Sequence, residues 1–434
     1  MIDKILTHLR PDLDSMMSVF LMKKFGEDKY PGVASADMIF SDADTLPDNK
    51  TSKELEKEGI LALDIGGGKF DTHPVGNIAN NKKRDRSATD LVAEYLGIIG
   101  YPELKLLIEY TRMQDTTGHS MFSKDYIHHL MSLHTILLGL SLLKDDSAIL
   151  LSDGVRILEN IPYYIQNKLT EIDEYNFLRQ CLQRFVDSSK GLIDLSNAKY
   201  TNFNEWINRI NKNSPNAFSM NEMDDAVSIK SIAIGAYYKF DKNFERAYPI
   251  FELCIYAILK RENEWFNAIG EFKNHAIIKK VEFLNIVGVE SVNPLIIKVA
   301  RFLIRSDILV YRNPVDGATT IFLQKNGPLN KFKLNKLAGL IRVIESRLNN
   351  ENPNYKNILD VGNVSGWFLH QSECLLIKGS PKAAKFVPSK IPMNDLLELI
   401  CYFLDKRKDK SSVQISHYFN YILEYENPIF RKTK

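Results

Sequence analysis

The motif at residues 7–15 carries the first side chains that could do chemistry. It reads THLRPDLDS and places one imidazole, His8, and two carboxylates, Asp12 and Asp14, within seven residues, directly after a short apolar run. Hard divalent cations such as Mn²⁺ and Mg²⁺ take ligands of these types. Pro11 fixes the backbone of a turn that can aim His8 and Asp12 at one point. The alternative is structural, with Asp14 or Ser15 as a plain helix cap and His8 as a core histidine.

A second motif begins at Asp64, again directly after an apolar run, and reads LDIGGGKFDTHP over residues 63–74. A carboxylate that emerges from a buried strand is costly unless it is neutralised, and a metal would neutralise Asp64. The glycines allow the backbone to come close to such a centre. Asp71 and His73 then return to the same region after a tight turn. The alternative is a glycine-rich turn with an aspartate cap.

Further polar groups could complete a site around these two motifs. Asp115 falls near the end of a predicted helix, where a negative charge is unfavourable beside the helix dipole, and this indicates a compensating cation. Phosphate groups could be held by basic side chains from two places, which are Arg10 and the run Lys82, Lys83 and Arg84. For that basic run, an exposed turn is the favoured alternative.

The elements that must position these residues follow an α/β pattern. Strands are predicted at residues 4–7, 32–40 and 60–63, and helices at 16–25, 87–97 and 104–112. Ser87 and Asp90 have the spacing of a capping box. Such a pattern predicts a mostly parallel sheet, whose sites lie at the carboxyl ends of the strands. His8 and Asp64 both fall just past predicted strand ends.

The rest of the chain divides into a helical segment and a smaller α/β segment. Apolar residues recur at helical spacing from about residue 125 to 276, whereas residues 308–323 read as a β-hairpin. We therefore predict an α/β protein with a catalytic domain at 1–124, a helical connector at 125–290, a C-terminal α/β domain at 291–405 and a basic tail at 406–434. The connector has no chemical motif, and we expect contacts with a second copy or another protein there.

The C-terminal segment contains a further group of aromatic, cationic and turn residues that could contact a ligand. The predicted contacts to a phosphate or nucleotide are His370, Lys378, Gly379 and Ser380, because this stretch combines cations with backbone N–H groups. Trp367 or Phe368 could stack on a base. The alternative is a strand with core aromatics followed by a polar turn.

Composition limits the classes of partner. The chain has 434 residues and a net charge of +2, and a protein that coats a long duplex usually carries a large basic excess. The four cysteines form no CxxC pair, so a disulfide framework or zinc ribbon is not expected and a reducing cytoplasm fits. No apolar run has the length of a signal peptide or a membrane span, so we expect no membrane association.

Taken in order, the motifs resemble the DHH phosphoesterase superfamily over Met1 to about Gly118. The closest resemblance is to the MYG exonuclease family, which has a strand-borne aspartate with paired glycines, an Asp-His-His turn, and a serine-rich helix start, matched here from Ser87 to Gly97. The segment from His8 to Ser15 is also similar to the His-x-x-Pro-Asp-x-Asp-Ser opening of the family II pyrophosphatases.

The resemblance implies a site for two ions, Mn²⁺ or Mg²⁺. It implies that the first metal is held by His8, Asp12 and Asp64 and the second by Asp14, Asp64 and Asp115. It also implies catalytic roles for His73, Asp71 and Arg10. The chain departs from the family in one place, because the Asp-His-His turn is Asp71-Thr72-His73 here. The replaced imidazole is the one that ligates the second metal.

Three consequences of this departure stay open: His73 takes over as ligand, the second metal is weakly held, or the site is degenerate. His119 is a further candidate ligand. The function we expect is a metal-dependent phosphodiesterase that acts on a nucleotide or a short single-stranded nucleic acid, such as a 3′–5′ exonuclease. The alternatives are a pyrophosphatase or phosphomonoesterase, and a catalytically degenerate nucleotide-binding or scaffold protein.

Overall fold

The structure is a computed structural model of the 434-residue chain. It describes residues 1–42, 46–72, 85–117, 125–167, 171–190, 192–212, 222–324, 329, 332–353, 357–364, 366–370, 372–379 and 387–404. His73, His119, Ser380, the basic run at 82–84 and the tail at 406–434 lie outside these ranges.

The N-terminal sheet has three parallel strands. They are β1 (Lys4–His8), β2 (Asp37–Ser41) and β3 (Ile60–Ala62), in the order β2-β1-β3. The register pairs Lys4 with both Asp37 and Ile60. Because β1 is central and both pairings are parallel, the carboxyl ends of all three strands point to one edge. Three predicted strands are confirmed, and the second is shorter than expected.

Helices make up most of the first 275 residues. Among the described residues they are α1 (Leu13–Phe25), α2 (Ser52–Lys57), α3 (Ala88–Leu96), α4 (Pro102–Thr117), α5 (Tyr126–Leu130), α6 (Leu133–Leu143), α7 (Ser147–Leu158), α8 (Ile161–Gln166), α9 (Glu171–Ser189), α10 (Thr201–Asn211), α11 (Glu222–Ala226), α12 (Ile229–Lys239) and α13 (Phe244–His275).

Two helix starts show how local sequence sets these bounds. Asp12, and not Asp14 or Ser15, caps α1, because the helix already begins at Leu13 and the Asp12 side chain accepts the N–H of Ser15 at 3.2 Å. The predicted capping box at the start of α3 is present, with the Ser87 and Asp90 side chains bonded to each other's backbone N–H. Gly97 then ends α3 with φ 75°, a conformation that glycine adopts without strain.

The chain divides into two compact units, Met1–Asn263 and Glu264–Lys434. The boundary between these units lies at neither of the predicted domain boundaries, which are 124/125 and 290/291. The helical segment shares one hydrophobic core with the α/β part of the first unit. Helix α7, for example, packs against α1 so closely that a side chain at Gly154 would collide with the thioether of Met16. These helices therefore contribute to the same core as the first sheet.

The second unit contains a seven-stranded mixed sheet. Its strands are β4 (Ile277–Val281), β5 (Leu284–Glu290), β6 (Ile308–Arg312), β7 (Thr319–Leu323), β8 (Gly362–Val364), β9 (Trp367–Leu369) and β10 (Leu375–Lys378), in the order β4-β5-β6-β7-β10-β9-β8. Only β5 and β6 pair in parallel among these. The predicted hairpin is the antiparallel pair β6–β7.

Three helices accompany this sheet: α14 (Ile296–Phe302), α15 (Asn335–Leu348) and α16 (Met393–Leu404). The predicted fold class is therefore confirmed: the chain is α/β, with a parallel sheet first, helices next and a mixed sheet last. None of the helices in the described ranges is long and apolar enough to cross a membrane.

A buried arginine of α15 holds the loop around β8 in the second unit. Arg342 has no exposed surface, and its guanidinium donates to the carbonyl oxygens of Ile358, Asp360 and Gly362, each at 2.8 Å, and of Trp367 at 2.9 Å. The carbonyls of Ile358 and Trp367 are buried in these bonds, so the guanidinium supplies the hydrogen bonds that water would otherwise make.

Replacing Arg342 with methionine should therefore destabilise the protein strongly. We expect Arg342→Met to lower the free energy of unfolding by about 3 kcal/mol, since the buried carbonyls of Ile358 and Trp367 lose their donor at once. Arg347→Met, at an exposed position of the same helix, should change it by less than about 0.5 kcal/mol. Urea denaturation followed by circular dichroism measures both, and equal effects would contradict the role given to Arg342.

Candidate metal centre

The carboxyl edge of the parallel sheet brings together three side chains that the sequence singled out. His8 is the last residue of β1, Asp64 follows the neighbouring strand β3, and Asp12 precedes α1. His8 Nε2 lies 3.3 Å from Asp64 Oδ2 and 3.8 Å from Asp12 Oδ2. The three candidate ligand atoms all lie within 4.8 Å of one another.

Burial differs between the members of this cluster. The side chains of His8 and Asp64 are each only 1% exposed, whereas that of Asp12 is 43% exposed. The cluster therefore opens to solvent on the side of Asp12. An ion could enter there, while the two buried groups form the floor of the site.

The orientation of His8 suits a metal ligand. Its Nδ1 lies 2.8 Å from the carbonyl oxygen of Leu9. A carbonyl oxygen can only accept, so Nδ1 carries the proton in this bond, and Nε2 faces the two carboxylates. A histidine that ligates a metal usually has its other ring nitrogen fixed by a carbonyl or carboxylate in this way.

Ser15 is a member of the cluster that sequence reasoning missed as a functional residue. Its Oγ lies 2.7 Å from His8 Nε2, 2.6 Å from Asp64 Oδ2 and 3.3 Å from Asp12 Oδ1. The available signal was its spacing of three residues from Asp12 at a helix start, which places both side chains on the same turn.

The hydrogens of this cluster test whether a cation fits. A hydroxyl group has one proton, so Ser15 can donate to Asp64 or to His8 but not to both at once. In the other contact, two electron pairs face each other. That contact therefore needs an additional proton or a nearby cation. A divalent ion bound by His8, Asp12 and Asp64 would meet that need and offset the two negative charges, so the residues present fit the implied metal.

The backbone at Asp64 is in an unusual conformation. Its φ is 56°, in the left-handed region of backbone conformation that residues other than glycine seldom adopt. The Asp64 N–H donates to the carbonyl oxygen of Phe70 at 2.9 Å, and the carboxylate of Asp71 accepts the N–H of Gly67 at 2.5 Å. Asp71 is buried and holds the turn after β3, which is the role of an aspartate cap.

Asp14 links the first motif to helix α3. Its carboxylate accepts the N–H groups of Ala88 at 2.7 Å and Thr89 at 2.8 Å, both at the helix start. Burial raises the pKa of Asp14 well above its ordinary value, and the charges of Asp64 and Asp115 raise it further. Asp115, in the last turn of α4, is thus electrostatically part of the acidic group that the sequence predicted.

The other predicted residues have different surroundings. The Arg10 guanidinium donates to the carbonyl oxygens of Lys144 at 2.7 Å and Asp145 at 3.3 Å, just past α6. To bind phosphate, the Arg10 guanidinium would have to share or give up these two hydrogen bonds.

In the second unit, the structure describes three of the predicted phosphate contacts, and they differ in burial. Lys378 is only 3% exposed, and its Nζ lies 3.6 Å from the buried carboxylate of Glu345. The physical reason is the alternation along β10, which places Lys378 on the same buried face as Leu376. His370 is exposed and lies 2.9 Å from Ser372 Oγ, and Gly379 has φ 79°.

Comparisons with known proteins add no family. No family model matches the chain, and no curated protein matches it. A crystal structure of an uncharacterized protein from Helicobacter pylori G27 is similar at 10% sequence identity and a TM-score of 0.23, with 93% of this chain and 98% of that chain covered. A likeness of that size carries no argument about fold or function.

Ser15→Ala should destabilise the protein in the presence of a chelator. The buried Asp64 carboxylate loses its hydroxyl donor, and we expect a loss of about 1–3 kcal/mol in the free energy of unfolding. Ser18→Ala is the matched control, because Ser18 is buried one turn along α1 and makes only a 3.4 Å contact with Thr89. Urea denaturation compares the two variants. Equal losses of stability in Ser15→Ala and Ser18→Ala would refute the role of Ser15 as the hydrogen-bond donor to Asp64.

The pKa of Asp14 predicts a pH effect in the metal-free protein. A raised pKa means that the folded protein binds this proton more tightly than the unfolded chain, so the free energy of unfolding falls as pH rises from about 3.8 through the folded pKa. Asp14→Asn removes this loss and should flatten the profile of stability against pH, with the variant more stable than wild type at the alkaline end. A profile parallel to that of the wild type would speak against a raised pKa.

Proposed function

We propose that this protein is a metal-dependent phosphoesterase. The observation that carries the proposal is the convergence of His8 and Asp12, from the connection between β1 and α1, with Asp64, which follows β3, at the carboxyl edge of a parallel sheet. This edge is where α/β proteins generally place their sites. The donor types are those that Mn²⁺ and Mg²⁺ prefer.

The residues have distinct tasks in this proposal. His8, Asp12 and Asp64 would hold the first ion, and a bound divalent cation would supply Lewis acidity toward a phosphate oxygen and activate water. The carbonyl of Leu9 orients the imidazole of His8. Asp12, which is the exposed member, leaves one side of the centre open to a substrate.

A second ion would draw on Asp14, Asp64 and Asp115. Support comes from the surroundings of Asp14, because burial raises the pKa of its carboxyl group and the neighbouring negative charges of Asp64 and Asp115 raise it further. A cation there would relieve the repulsion. Asp14 can keep its two bonds to the start of α3 and still offer an electron pair, since a carboxylate has about four acceptor positions.

The substrate class we propose is a nucleotide or a short single-stranded nucleic acid, cleaved at a phosphodiester bond, as in a 3′–5′ exonuclease. The near-neutral net charge of +2 supports a small substrate, because contact with a long duplex relies on many basic groups. We also propose that the protein works in the cytoplasm. All four cysteines, Cys181, Cys254, Cys374 and Cys401, are free thiols, which fits a reducing compartment.

A second candidate is a nucleotide-binding or scaffold protein with a degenerate site. It is favoured by the two hydrogen bonds that already engage Asp14, together with Thr72 in place of the family's histidine. Such a protein would bind one ion or none. Its partner surface would lie on the helical segment, where Ile149 and Leu192 are 50% and 78% exposed.

Metal content and hydrolysis of bis-p-nitrophenyl phosphate test the proposal directly. We expect the wild type to bind Mn²⁺ and to turn the substrate over, and Asp64→Asn to lose both, with turnover reduced by a factor of about 10³ or more. Asp64→Asn preserves the shape of the side chain while removing its charge. Asp48→Asn, at an exposed carboxylate outside the cluster, should behave as wild type.

The possible results separate the candidates. Two bound ions with turnover that Asp64→Asn abolishes would support the phosphoesterase. One bound ion without turnover would favour the degenerate binding protein. Absence of metal and of turnover in the correctly folded wild type would refute the proposed function.

A further inference from the structure

The turn that follows Asp64 has a strained backbone. Asp64, Gly66 and Gly67 all have positive φ, at 56°, 75° and 65°. A side chain in this region strains the backbone, and such conformations persist only where surrounding contacts fix them. The bonds that close the turn are Asp64 N–H to Phe70 and Gly67 N–H to Asp71.

An exposed lysine of this turn reaches over three aromatic rings. The Lys69 ammonium lies 3.4 Å from the ring centroid of Tyr95, 5.1 Å from that of Phe70 and 5.7 Å from that of Tyr30. It also lies 3.4 Å from the Tyr30 hydroxyl oxygen. An ammonium within about 6 Å of an aromatic centroid is attracted by the negative face of the ring, and here three rings contribute.

The three rings come from different parts of the first unit and pack on one another. Centroids of Tyr30 and Tyr95 are 5.7 Å apart, and those of Phe70 and Tyr95 are 5.3 Å apart with the edge of one ring facing the other. Tyr30 lies in the connection after α1, and Tyr95 lies in the last turn of α3. The cluster therefore joins the turn after β3 to the connection after α1 and to the end of α3.

We propose that Lys69 is a positioning residue of the candidate metal centre. Its cation–π contacts clamp the turn of residues 64–71 onto Tyr30 and Tyr95, and this keeps Asp64 in the backbone conformation that aims its carboxylate at His8. The link to metal binding rests on the proposed function, whereas the clamp itself belongs to the metal-free fold. Nothing in the role requires Lys69 to touch the ion or a substrate.

Hydrogen exchange of the full-length, metal-free protein tests the clamp. Lys69→Met keeps an unbranched side chain of similar reach but removes the charge, and exchange in peptides that cover residues 60–72 should become about five- to tenfold faster. Lys69→Arg should restore the slow exchange, because a guanidinium also stacks on aromatic rings.

The matched control is Lys29→Met. Lys29 Nζ lies 6.0 Å from the same Tyr95 ring, but Lys29 is not part of the turn. This variant removes an equal charge from the same surroundings and should leave exchange at residues 60–72 unchanged. An unchanged rate in Lys69→Met, or an equal acceleration in Lys29→Met, would overturn the clamp.

Calorimetric titration with Mn²⁺ then tests the link to the centre. We expect Lys69→Met to bind Mn²⁺ several-fold more weakly than wild type, and Lys69→Arg and Lys29→Met to bind it normally. Equal affinity in Lys69→Met, despite faster exchange, would overturn the positioning role. If the wild type binds no Mn²⁺, the proposed function fails, and the exchange data still decide whether the clamp exists.

Discussion

The buried carboxylate of Asp64 is the constraint on which the N-terminal unit depends. It is almost fully removed from water beside His8 and Ser15, and its backbone is left-handed. A buried charge is tolerated only where hydrogen bonds or an opposite charge compensate it. The parallel pairing of β1 with β3 brings the compensating groups to the same edge, and the turn to Asp71 holds the strained backbone. Fold and candidate chemistry therefore meet in one residue.

Around this residue, acidic groups accumulate in a way that costs stability unless a cation is present. Asp14 joins the starts of two helices, since it stands in the first turn of α1 and accepts two N–H groups at the start of α3. Helix starts favour negative charge, which offsets part of the repulsion from Asp64 and Asp115. The cation that we propose would offset the repulsion that remains.

In the second unit, the buried charges of Arg342, Glu345 and Lys378 have hydrogen-bond partners or an opposite charge nearby. Arg342 gives its hydrogen bonds to backbone carbonyls, and Glu345 lies near Lys378 and accepts from Ser389 at 2.7 Å and from the Lys390 N–H at 3.0 Å. The contacts of Arg342 and Glu345 stabilise the fold of the second unit, because each of these charges has partners nearby. Lys378, one of the residues that the sequence predicted as a phosphate contact, thus lies in the buried layer of the mixed sheet beside Glu345.

The sequence by itself determined the parts of this protein that depend on neighbouring residues. Apolar runs ending at His8 and Asp64 predicted strands of a parallel sheet, Ser87 and Asp90 predicted the start of α3, and the donor types at His8, Asp12 and Asp64 predicted the cluster. Only the tertiary structure decided that Ser15 bridges these ligands, that Asp14 caps a helix 74 residues further on, that the helical segment shares the core of the first sheet, and that Lys378 is buried. The physical reason is that strand and helix starts follow from local periodicity and capping, whereas the partner of a polar side chain depends on which distant segment packs against it.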